Sequence, residues 1–216
     1  MSLSTIIFDL DGTLLDTLDD IGSAMNRVLS LHGFPIHPME SYRFFVGEGA
    51  ARLVARALPE EKRELAPQLL NEFLKDYESN WAVKSRPYDG IPELLAHLKG
   101  QATLCILSNK PDHFTQSCVK HYFQHDLFKI VRGQIDGVPR KPDPIGVFEI
   151  VKTLEVKLGD CLFVGDTKVD MMTAKAARIL CTGVTWGFRP QYELETNGAD
   201  YLAHRPSDLI EILEHL

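Results

Sequence analysis

The amino-acid sequence predicts an α/β fold, in which a doubly wound parallel sheet carries an inserted α-helical cap domain. Two patterns support this prediction. Short apolar runs that are typical of buried strands alternate with segments of helical periodicity, as in parallel sheets with helices on both faces. After the first strand, a long stretch without strand signals interrupts the alternation, which resumes at the turn-forming residues 87–90 (PYDG).

The first strand is predicted over residues 5–8, a β-rich apolar run that leads directly into Asp9. A helix follows, with Asp16 or Thr17 as its N-cap, apolar residues at helical spacing, and Gly33 as its stop. The sequence remains helix-like from there to about residue 83. Two further helices are predicted in this stretch, at residues 50–58 and 60–81.

The interrupting stretch is interpreted as a helical cap over the sheet. We assign residues 16–86 to the cap, and residues 1–15 and 87–216 to a Rossmann-like core. Pro67 is expected to break or kink the second of the two cap helices. In the core, helices are predicted at residues 91–98, 111–122, 143–154, 168–177 and 207–213. The later strands are predicted at residues 102–107, 128–131, 161–164, 179–185 and 201–203.

The composition indicates which partners are excluded and in which cellular compartment the protein is expected. The formal net charge is −7, which argues against nucleic acid or an anionic membrane as a partner, since both favour basic surfaces. The four cysteines form no Cys-x-x-Cys pair and are expected to be buried and reduced. No apolar run reaches the roughly 18 residues that span a bilayer, and no signal peptide is visible. We therefore expect a cytoplasmic protein.

Polar residues follow three of the predicted strands, at the point where each strand ends. They are Asp9 with Asp11, Ser108 with Asn109, and Gly165 with Asp166, while Lys141 lies in a loop before a helix. The carboxyl ends of parallel strands share one edge of a sheet, so these side chains are expected to converge on one ligand site. Taken singly, each residue has an ordinary structural explanation, such as a helix cap or a solvated lysine, but those explanations do not account for all of them together.

The DxDGT segment that begins at Asp9 has its own chemical logic. Two carboxylates at Asp9 and Asp11, joined by a third at Asp166, cannot all stay ionised in a cleft without a cation. Carboxylate oxygens favour hard cations, so Mg²⁺ is the expected cofactor. Gly12 allows a tight turn that brings backbone N–H groups close to an anion, and is therefore a candidate substrate-binding residue.

Four segments together resemble the motifs of the haloacid dehalogenase superfamily. They are residues 9–14 (DLDGTL), 107–110 (LSNK), 141–144 (KPDP) and 164–170 (VGDTKVD). They stand in the order of that family, and the resemblance covers essentially the whole chain. It implies a phosphatase, because family members that dehalogenate lack the second aspartate of the first motif.

The resemblance also implies a role for each motif residue. Asp9 would be the nucleophile that forms an acyl phosphate, and Asp11 the general acid and then the general base. Ser108 would hydrogen-bond a phosphoryl oxygen, helped by backbone N–H groups near Asn109. Lys141 would hold the nucleophile and the phosphoryl group.

The same resemblance implies the ligands of the metal. Mg²⁺ would lie between Asp9, the backbone carbonyl of Asp11, Asp166 and the phosphate. Asp170 would orient Lys141 or the metal's water ligands from the next layer of residues.

The cap sequence narrows the substrate to a small phosphorylated metabolite. Residues 45–53 (FVGEGAARL) resemble the cap loop of phosphoglycolate phosphatases. Gly49 would let this loop approach the substrate, and Arg52 would either bind a substrate carboxylate or point to solvent. At Arg178 the family usually has glycine, which places the departure at a helix end and not in the chemistry.

Several alternatives stay open at the level of sequence. A β-phosphoglucomutase shares the four motifs, but its cap usually carries a Ser-Arg loop and a histidine, where this chain has residues 47–49 (GEG) and 18–20 (LDD). A pyrophosphatase or nucleotidase of the same superfamily would also fit. Outside that class, a receiver-like phospho-accepting module would not explain the cap, and a catalytically inactive binding protein would not need every polar motif residue.

Overall fold

The computed structural model describes residues 3–216, so residues 1 and 2 of the predicted core segment lie outside the described residues. Over residues 3–216 the chain forms eight strands. They are β1 (Thr5–Phe8), β2 (Leu15–Asp16), β3 (Arg86–Pro87), β4 (Thr103–Pro111), β5 (Ile130–Gln134), β6 (Cys161–Gly165), β7 (Leu180–Val184) and β8 (Tyr201–Ala203). Six of them form a parallel sheet in the order β5-β4-β1-β6-β7-β8, and β2 pairs with β3 in an antiparallel ribbon.

Ten α-helices lie within the same described range. They are α1 (Leu18–Leu31), α2 (Met39–Phe45), α3 (Ala50–Ala57), α4 (Ala66–Asn80), α5 (Ile91–Leu98), α6 (Asp112–Tyr122), α7 (Ile145–Leu154), α8 (Lys168–Ala177), α9 (Gln191–Thr196) and α10 (Asp208–Glu214). Short 3₁₀ turns occupy Glu60–Leu65 and Leu158–Asp160. No helix between residues 3 and 216 combines the length and apolar character that a membrane span requires.

The predicted fold class is confirmed: helices flank a parallel sheet, and helices α1 to α4 are inserted between β1 and the rest of the sheet. The assignment of residues 16–86 to the cap stays a prediction. The helix predicted at residues 60–81 is divided into a 3₁₀ turn at Glu60–Leu65 and helix α4, as the expected break at Pro67 implied. Pro67 lies in the first turn of α4, where its missing N–H has no helical partner to lose, so it does not kink that helix.

Five local features differ from the sequence-based expectation. The β2–β3 ribbon, α2 and α9 were not predicted as separate elements, because segments of two to seven residues are too short for a periodic pattern. The strand predicted at residues 128–131 lies at Ile130–Gln134 instead. Strand β4 continues to Pro111, so Ser108 and Asn109 lie inside the strand and not beyond its end.

Strand β1 lies in the middle of the sheet, and all four of its residues are buried, as expected for an apolar strand covered on both faces. It pairs in parallel with β4 on one side and β6 on the other. Its side chains alternate, so Ile6 and Phe8 pack towards α5 and α10, whereas Ile7 packs towards α7 and α8. The position that follows Phe8 therefore emerges from the middle of the sheet edge.

The cap has a hydrophobic cluster of its own, built mainly from α1, α3 and α4. Two core residues, Phe114 of α6 and Phe188 after β7, extend into that cluster. At the other end of the cap, the Asp20 carboxylate accepts hydrogen bonds from the backbone N–H groups of Val83, Lys84 and Ser85. The start of α1 is thereby tied to the segment that returns to the core.

Candidate active site

The carboxylate of Asp9 lies at the end of β1, and the residue is 6% exposed. The backbone N–H of Asp9 donates to Val164 O at 2.9 Å, which extends the parallel pairing with β6 by one residue. Oδ1 of Asp9 accepts a hydrogen bond from Leu10 N at 2.7 Å and lies 3.0 Å from Lys141 Nζ. Backbone and side-chain donors therefore fix the orientation of this carboxylate.

Three buried carboxylates form a cluster at this sheet edge: Asp9, Asp166 and Asp170 each offer an oxygen, and these oxygens lie within 4.8 Å of one another. Lys141 contributes one positive charge, with Nζ at 2.7 Å from Asp170 and 3.0 Å from Asp9. Three acidic groups thus face one ammonium group, and their oxygens are the donor type that a hard cation such as Mg²⁺ prefers.

The charge imbalance is visible in the pKa values of the acids. Burial raises the pKa of Asp9 to about 7, with Lys141 opposing the shift and Asp170 adding to it. Burial, followed by the charges of Asp170 and Asp9, also raises the pKa of Asp166 well above its usual range. A bound divalent cation would supply the missing positive charge, so the residues present fit a metal site.

The Asp166 side chain is held from both sides by the loops that follow β1 and β7. Thr13 Oγ1 donates to Asp166 Oδ1 at 3.0 Å, and Phe188 N donates to Oδ2 at 2.8 Å. Gly12, with φ of +84°, and Gly187 pack directly on the carboxyl group, and a Cβ at either position would overlap it. Gly12 was predicted to approach a phosphate, and its contact with Asp166 is a second reason for glycine at this position.

Asp170 is more tightly integrated in the cluster than the sequence predicted. It is the third residue of α8 and forms a capping box with Thr167, whose N–H and hydroxyl donate to Oδ2 at 3.0 and 2.8 Å. Its Oδ1 accepts from Lys141 Nζ at 2.7 Å. The helix cap therefore also orients Lys141, and the Asp170 carboxylate lies within the group that faces the metal position.

Ser108 and Asn109 lie buried in β4, beside the cluster. The Ser108 hydroxyl oxygen accepts from Lys110 N at 3.3 Å. The Asn109 side-chain amide donates to Lys141 O at 3.0 Å and to Gly47 O at 3.1 Å. Asn109 thus connects the lysine loop of the core to the cap loop at residues 47–49.

The side chain of Asp11 lies outside the carboxylate cluster. Its two oxygens lie 3.0 and 3.1 Å from Lys110 Nζ, and Oδ1 also accepts from Thr17 Oγ1 at 2.8 Å. Lys110 Nζ donates in turn to the hydroxyl of Tyr77, on cap helix α4, at 2.7 Å. Burial alone would lower the pKa of Lys110, but Asp11 and Tyr77 raise it above its usual range.

Sequence reasoning assigned no role to Lys110 or Tyr77. A signal was present in the fourth position of the LSNK segment, where a lysine lies shortly after the strand predicted at residues 102–107 and precedes a proline. Its partner at position 77 could not be inferred, because Tyr77 belongs to an apolar helix face in another part of the chain.

A cleft lies between the cap and this sheet edge. Its polar floor includes Asp9, Asp11 and Ser108. Gly49, with φ of +88°, lines the cleft at the start of α3. Arg52, predicted as a possible carboxylate ligand, is exposed and is not among the residues that line the cleft. Much of the apolar wall comes from Ile21, Val46, Leu53, Phe73, Leu74 and Phe114.

The cap also contacts the loop that holds Asp166. Arg43 of α2 donates to Gly187 O at 2.7 Å and to Phe188 O at 3.0 Å. From the core side, buried Arg189 donates to Val46 O at 3.0 Å. Two guanidinium groups thus join α2 and the loop after β7, next to the carboxylate cluster.

Comparison with known proteins places this arrangement in a family. Residues 6–184 match the family described as haloacid dehalogenase-like hydrolase. The chain belongs to that family. The match includes all four segments that carry the clustered side chains, and it spans the cap as well as most of the core.

Similar proteins cover the full length of the chain. A phosphoglycolate phosphatase from Mesorhizobium japonicum is 32% identical, over 100% of this chain and 97% of its own. An N-acetylmuramic acid 6-phosphate phosphatase from Pseudomonas aeruginosa is also 32% identical, over 99% and 96%. A solved structure from Lactobacillus delbrueckii subsp. bulgaricus, described as a candidate phosphoglycolate phosphatase, is 29% identical, covers 99% of both chains and has a TM-score of 0.90.

Proposed function

We propose that this hydrolase is a Mg²⁺-dependent phosphatase that removes the phosphoryl group of a small monoester through an aspartyl-phosphate on Asp9. The observation that carries the proposal is the setting of Asp9, a carboxylate fixed through Oδ1 at the floor of a cleft, beside a lysine and two further carboxylates. The relatives named above, which are phosphatases by name, support the same reaction class.

The first half of the proposed reaction transfers the phosphoryl group to the protein. The Asp9 carboxylate attacks phosphorus, and the bond from phosphorus to the ester oxygen breaks. Lys141, 3.0 Å from Asp9, offsets the charge that the nucleophile and the phosphoryl group bring together. The Ser108 hydroxyl donates to a phosphoryl oxygen. Asp11, which enters this step as the carboxylic acid, gives its proton to the departing ester oxygen, so that an alcohol leaves.

The second half returns Asp9 to its initial state. Asp11, now a carboxylate, takes a proton from a water molecule that attacks the phosphorus of the acyl phosphate. Inorganic phosphate leaves and Asp9 is free again. The carboxylate of Asp11 lies on the cleft floor with Asp9, as both halves of the reaction require.

The metal would be held by Asp9, Asp166 and the backbone carbonyl of Asp11, with the Asp170 carboxylate beside them. When bound, Mg²⁺ would offset the repulsion between the acidic cluster and the substrate and stabilise the charge of the transition state. The Thr13 and Phe188 hydrogen bonds keep the Asp166 carboxylate in place for that purpose.

The substrate is proposed to be a small phosphorylated metabolite of the cytoplasm, and 2-phosphoglycolate is the first candidate because of the relatives that carry its name. A sugar 6-phosphate is the second candidate, because the relative that acts on N-acetylmuramic acid 6-phosphate covers this chain equally well. Exposed Arg52 offers no ligand inside the cleft for a substrate carboxylate.

The proposal is tested by phosphate release from a panel of esters with and without Mg²⁺. The panel contains 2-phosphoglycolate, N-acetylmuramic acid 6-phosphate, β-glucose 1-phosphate, pyrophosphate and nucleoside monophosphates. We expect release that requires Mg²⁺, with one of the two candidates as the preferred substrate. Isomerisation of glucose phosphate without net release would support a mutase instead, and no release from any member would contradict the proposed activity.

A further inference from the structure

Lys110 is a buried cation that belongs to the core, yet its ammonium contacts the cap. Its side chain is 3% exposed and lies at the end of β4. Nζ contacts both oxygens of Asp11 and the hydroxyl of Tyr77, and it lies 4.8 Å from the centroid of the Tyr77 ring. The reaction proposed above assigns no task to either residue.

Burying the charged side chain of Lys110 at this position is energetically unfavourable. Removing an ammonium group from water costs several kcal/mol, and the attraction within a single ion pair seldom exceeds that cost. An apolar side chain of similar volume would therefore stabilise the fold equally well. The cleft wall around it is largely apolar, with Phe73, Leu74 and Phe114 nearby. Packing alone therefore does not explain why a lysine ammonium group contacts Asp11 and Tyr77 here.

The contacts of Lys110 fix the position of one carboxylate. With both oxygens of Asp11 near Nζ, the carboxylate cannot rotate without losing one of these contacts. Thr17, at the start of the cap, donates to the same carboxylate from another direction. Asp11 is thus held between a core residue and a cap residue, on the floor of the cleft where the leaving group of the substrate would lie.

Tyr77 makes this restraint depend on the cap. Its ring packs edge-to-face on Phe114 of the core, with centroids 5.0 Å apart, and stacks on Phe73 of the same helix at 5.7 Å. Its hydroxyl accepts from Lys110 at 2.7 Å only while α4 lies over the sheet edge. If α4 moved away, Lys110 would lose one of its three oxygen contacts.

We propose that Lys110 and Tyr77 are positioning residues that hold the Asp11 carboxylate in line with the leaving oxygen when the cap lies over the cleft. The inference rests on the proposed function, since it concerns the step in which Asp11 gives a proton to the departing ester oxygen. Proton transfer from a fixed side chain contributes about 10²–10⁴-fold to a rate, and misplacement of such a group by an ångström forfeits much of that factor.

The role has a kinetic signature that separates it from a contribution to folding. An alkyl phosphate releases a strongly basic alkoxide unless the oxygen is protonated, whereas p-nitrophenyl phosphate releases a stable phenolate that needs no acid. Loss of Asp11 positioning should therefore slow the alkyl ester selectively. The constant to compare is kcat/KM, because it covers the steps up to departure of the leaving group and not the later hydrolysis of the acyl phosphate.

The experiment compares Lys110→Met and Tyr77→Phe with the unaltered protein on p-nitrophenyl phosphate and on the best alkyl phosphate of the panel. Lys110→Met keeps most of the stem and removes the charge, and we expect a loss of about 10²-fold for the alkyl ester against less than about threefold for the aryl ester. Tyr77→Phe keeps the ring and removes the hydroxyl, and we expect the same selectivity with a loss of about tenfold or less.

Tyr42→Phe is the matched control, because Tyr42 is a buried cap tyrosine whose hydroxyl donates to Asn26 Oδ1 at 2.7 Å, away from Asp11. It should leave the ratio of the two kcat/KM values unchanged. Equal losses for both esters in Tyr77→Phe would overturn the inference, and this variant decides the matter if Lys110→Met does not fold. A raised KM for carboxylate-bearing esters alone would make Lys110 a substrate ligand instead.

The outcome also separates the inference from the function on which it rests. Turnover by the unaltered protein with equal losses in the variants removes only the positioning role. Absence of turnover by the unaltered protein on every ester removes the proposed phosphatase and the positioning role together.

Discussion

The two sides of the cleft floor are built in different ways. On the phosphoryl side, every hydrogen-bond or ion-pair partner of the Asp9, Asp166 and Asp170 carboxylates is a core residue. On the leaving-group side, Asp11 is held by Lys110 of the core and by Thr17 of the cap, and Lys110 depends in turn on Tyr77. One side is complete within the core, and the other is completed by the cap.

This difference distinguishes the residues proposed to bind the metal and the phosphoryl group from those proposed to position the acid. The side proposed to bind the metal makes no direct hydrogen bond to the cap, which reaches it through the contact of Arg43 with the loop that holds Asp166. The side proposed to protonate the leaving group depends more directly on the cap, because Lys110 donates to the hydroxyl of Tyr77 on α4. Under the proposal above, a substrate that fits beneath the cap meets a correctly placed acid.

The largest effect is expected from a change on the phosphoryl side. Asp9→Asn removes the proposed nucleophile but keeps the size of the side chain and its contact with Leu10 N. We expect the rate of phosphate release to fall by more than about 10³-fold for aryl and alkyl esters alike, with an unchanged circular dichroism spectrum. Activity near that of the unaltered protein would rule out the covalent route.

The second effect concerns the metal and its dependence on pH. In metal-free protein the pKa of Asp9 is raised to about 7 by burial, so the protonated form favours folding. That contribution is present below the pKa of the unfolded chain, about 4, and is lost as the pH rises to about 7. Metal binding requires the ionised form, so protons compete with Mg²⁺ in the same interval.

We therefore expect Mg²⁺ to raise the melting temperature more at about pH 7.5 than at about pH 5.5. Differential scanning fluorimetry with Mg²⁺ and with a chelator measures this difference directly. Asp9→Asn serves as the control, because without a titrating carboxylate the pH dependence of the Mg²⁺ shift should become weaker. A Mg²⁺ shift that does not change with pH would contradict the raised pKa of Asp9.

The third effect tests the tie between the start of α1 and residues 83–85, the segment that returns to the core. Asp20→Ala leaves three backbone N–H groups and the Ser85 hydroxyl without their acceptor, and should lower the free energy of unfolding by about 2–3 kcal/mol. Asp19→Ala is the matched control, since Asp19 is adjacent in sequence, and its carboxylate is half-exposed and lies 3.7 Å from Lys84 Nζ. That change should alter stability by less than about 0.5 kcal/mol. Urea denaturation measures both, and equal values would contradict the tie.

The smallest effect lies far from both sides of the cleft. Arg178 ends α8 in the left-handed region, with φ of +58°, where a side chain is disfavoured by about 1 kcal/mol relative to glycine. Arg178→Gly should raise the free energy of unfolding by about that amount and leave kcat unchanged. Arg178→Ala is the control, because alanine keeps a Cβ and should give no comparable gain.

The sequence predicted the phosphoryl side better than the leaving-group side for a physical reason. Asp9, Asp166 and Lys141 each belong to a local pattern of a strand or loop and its polar end, and parallel strands bring such ends together. The contact of Asp11, Lys110 and Tyr77 joins three distant parts of the chain and depends on how a helix is placed over the sheet. No local periodicity encodes that placement.

Two other outcomes follow the same rule. The left-handed helix end at Arg178 was foreseeable, because the family pattern has glycine at that point and glycine favours positive φ. The position of Arg52 was not, because both readings fit the same short helix and only the packed structure distinguishes an exposed face of α3 from the face that lines the cleft.

The β2–β3 ribbon, four residues in all, has a consequence for the history of the molecule. Leu15 pairs with Pro87 and Asp16 with Arg86, so the two chain segments that lead into α1 and back from α4 lie side by side. An ancestral gene could therefore acquire, lose or exchange the whole segment between these crossings at two adjoining junctions, without changing the register of the sheet. Different substrate specificities could then evolve by replacement of this one helical segment, while the residues at the sheet edge stay unchanged.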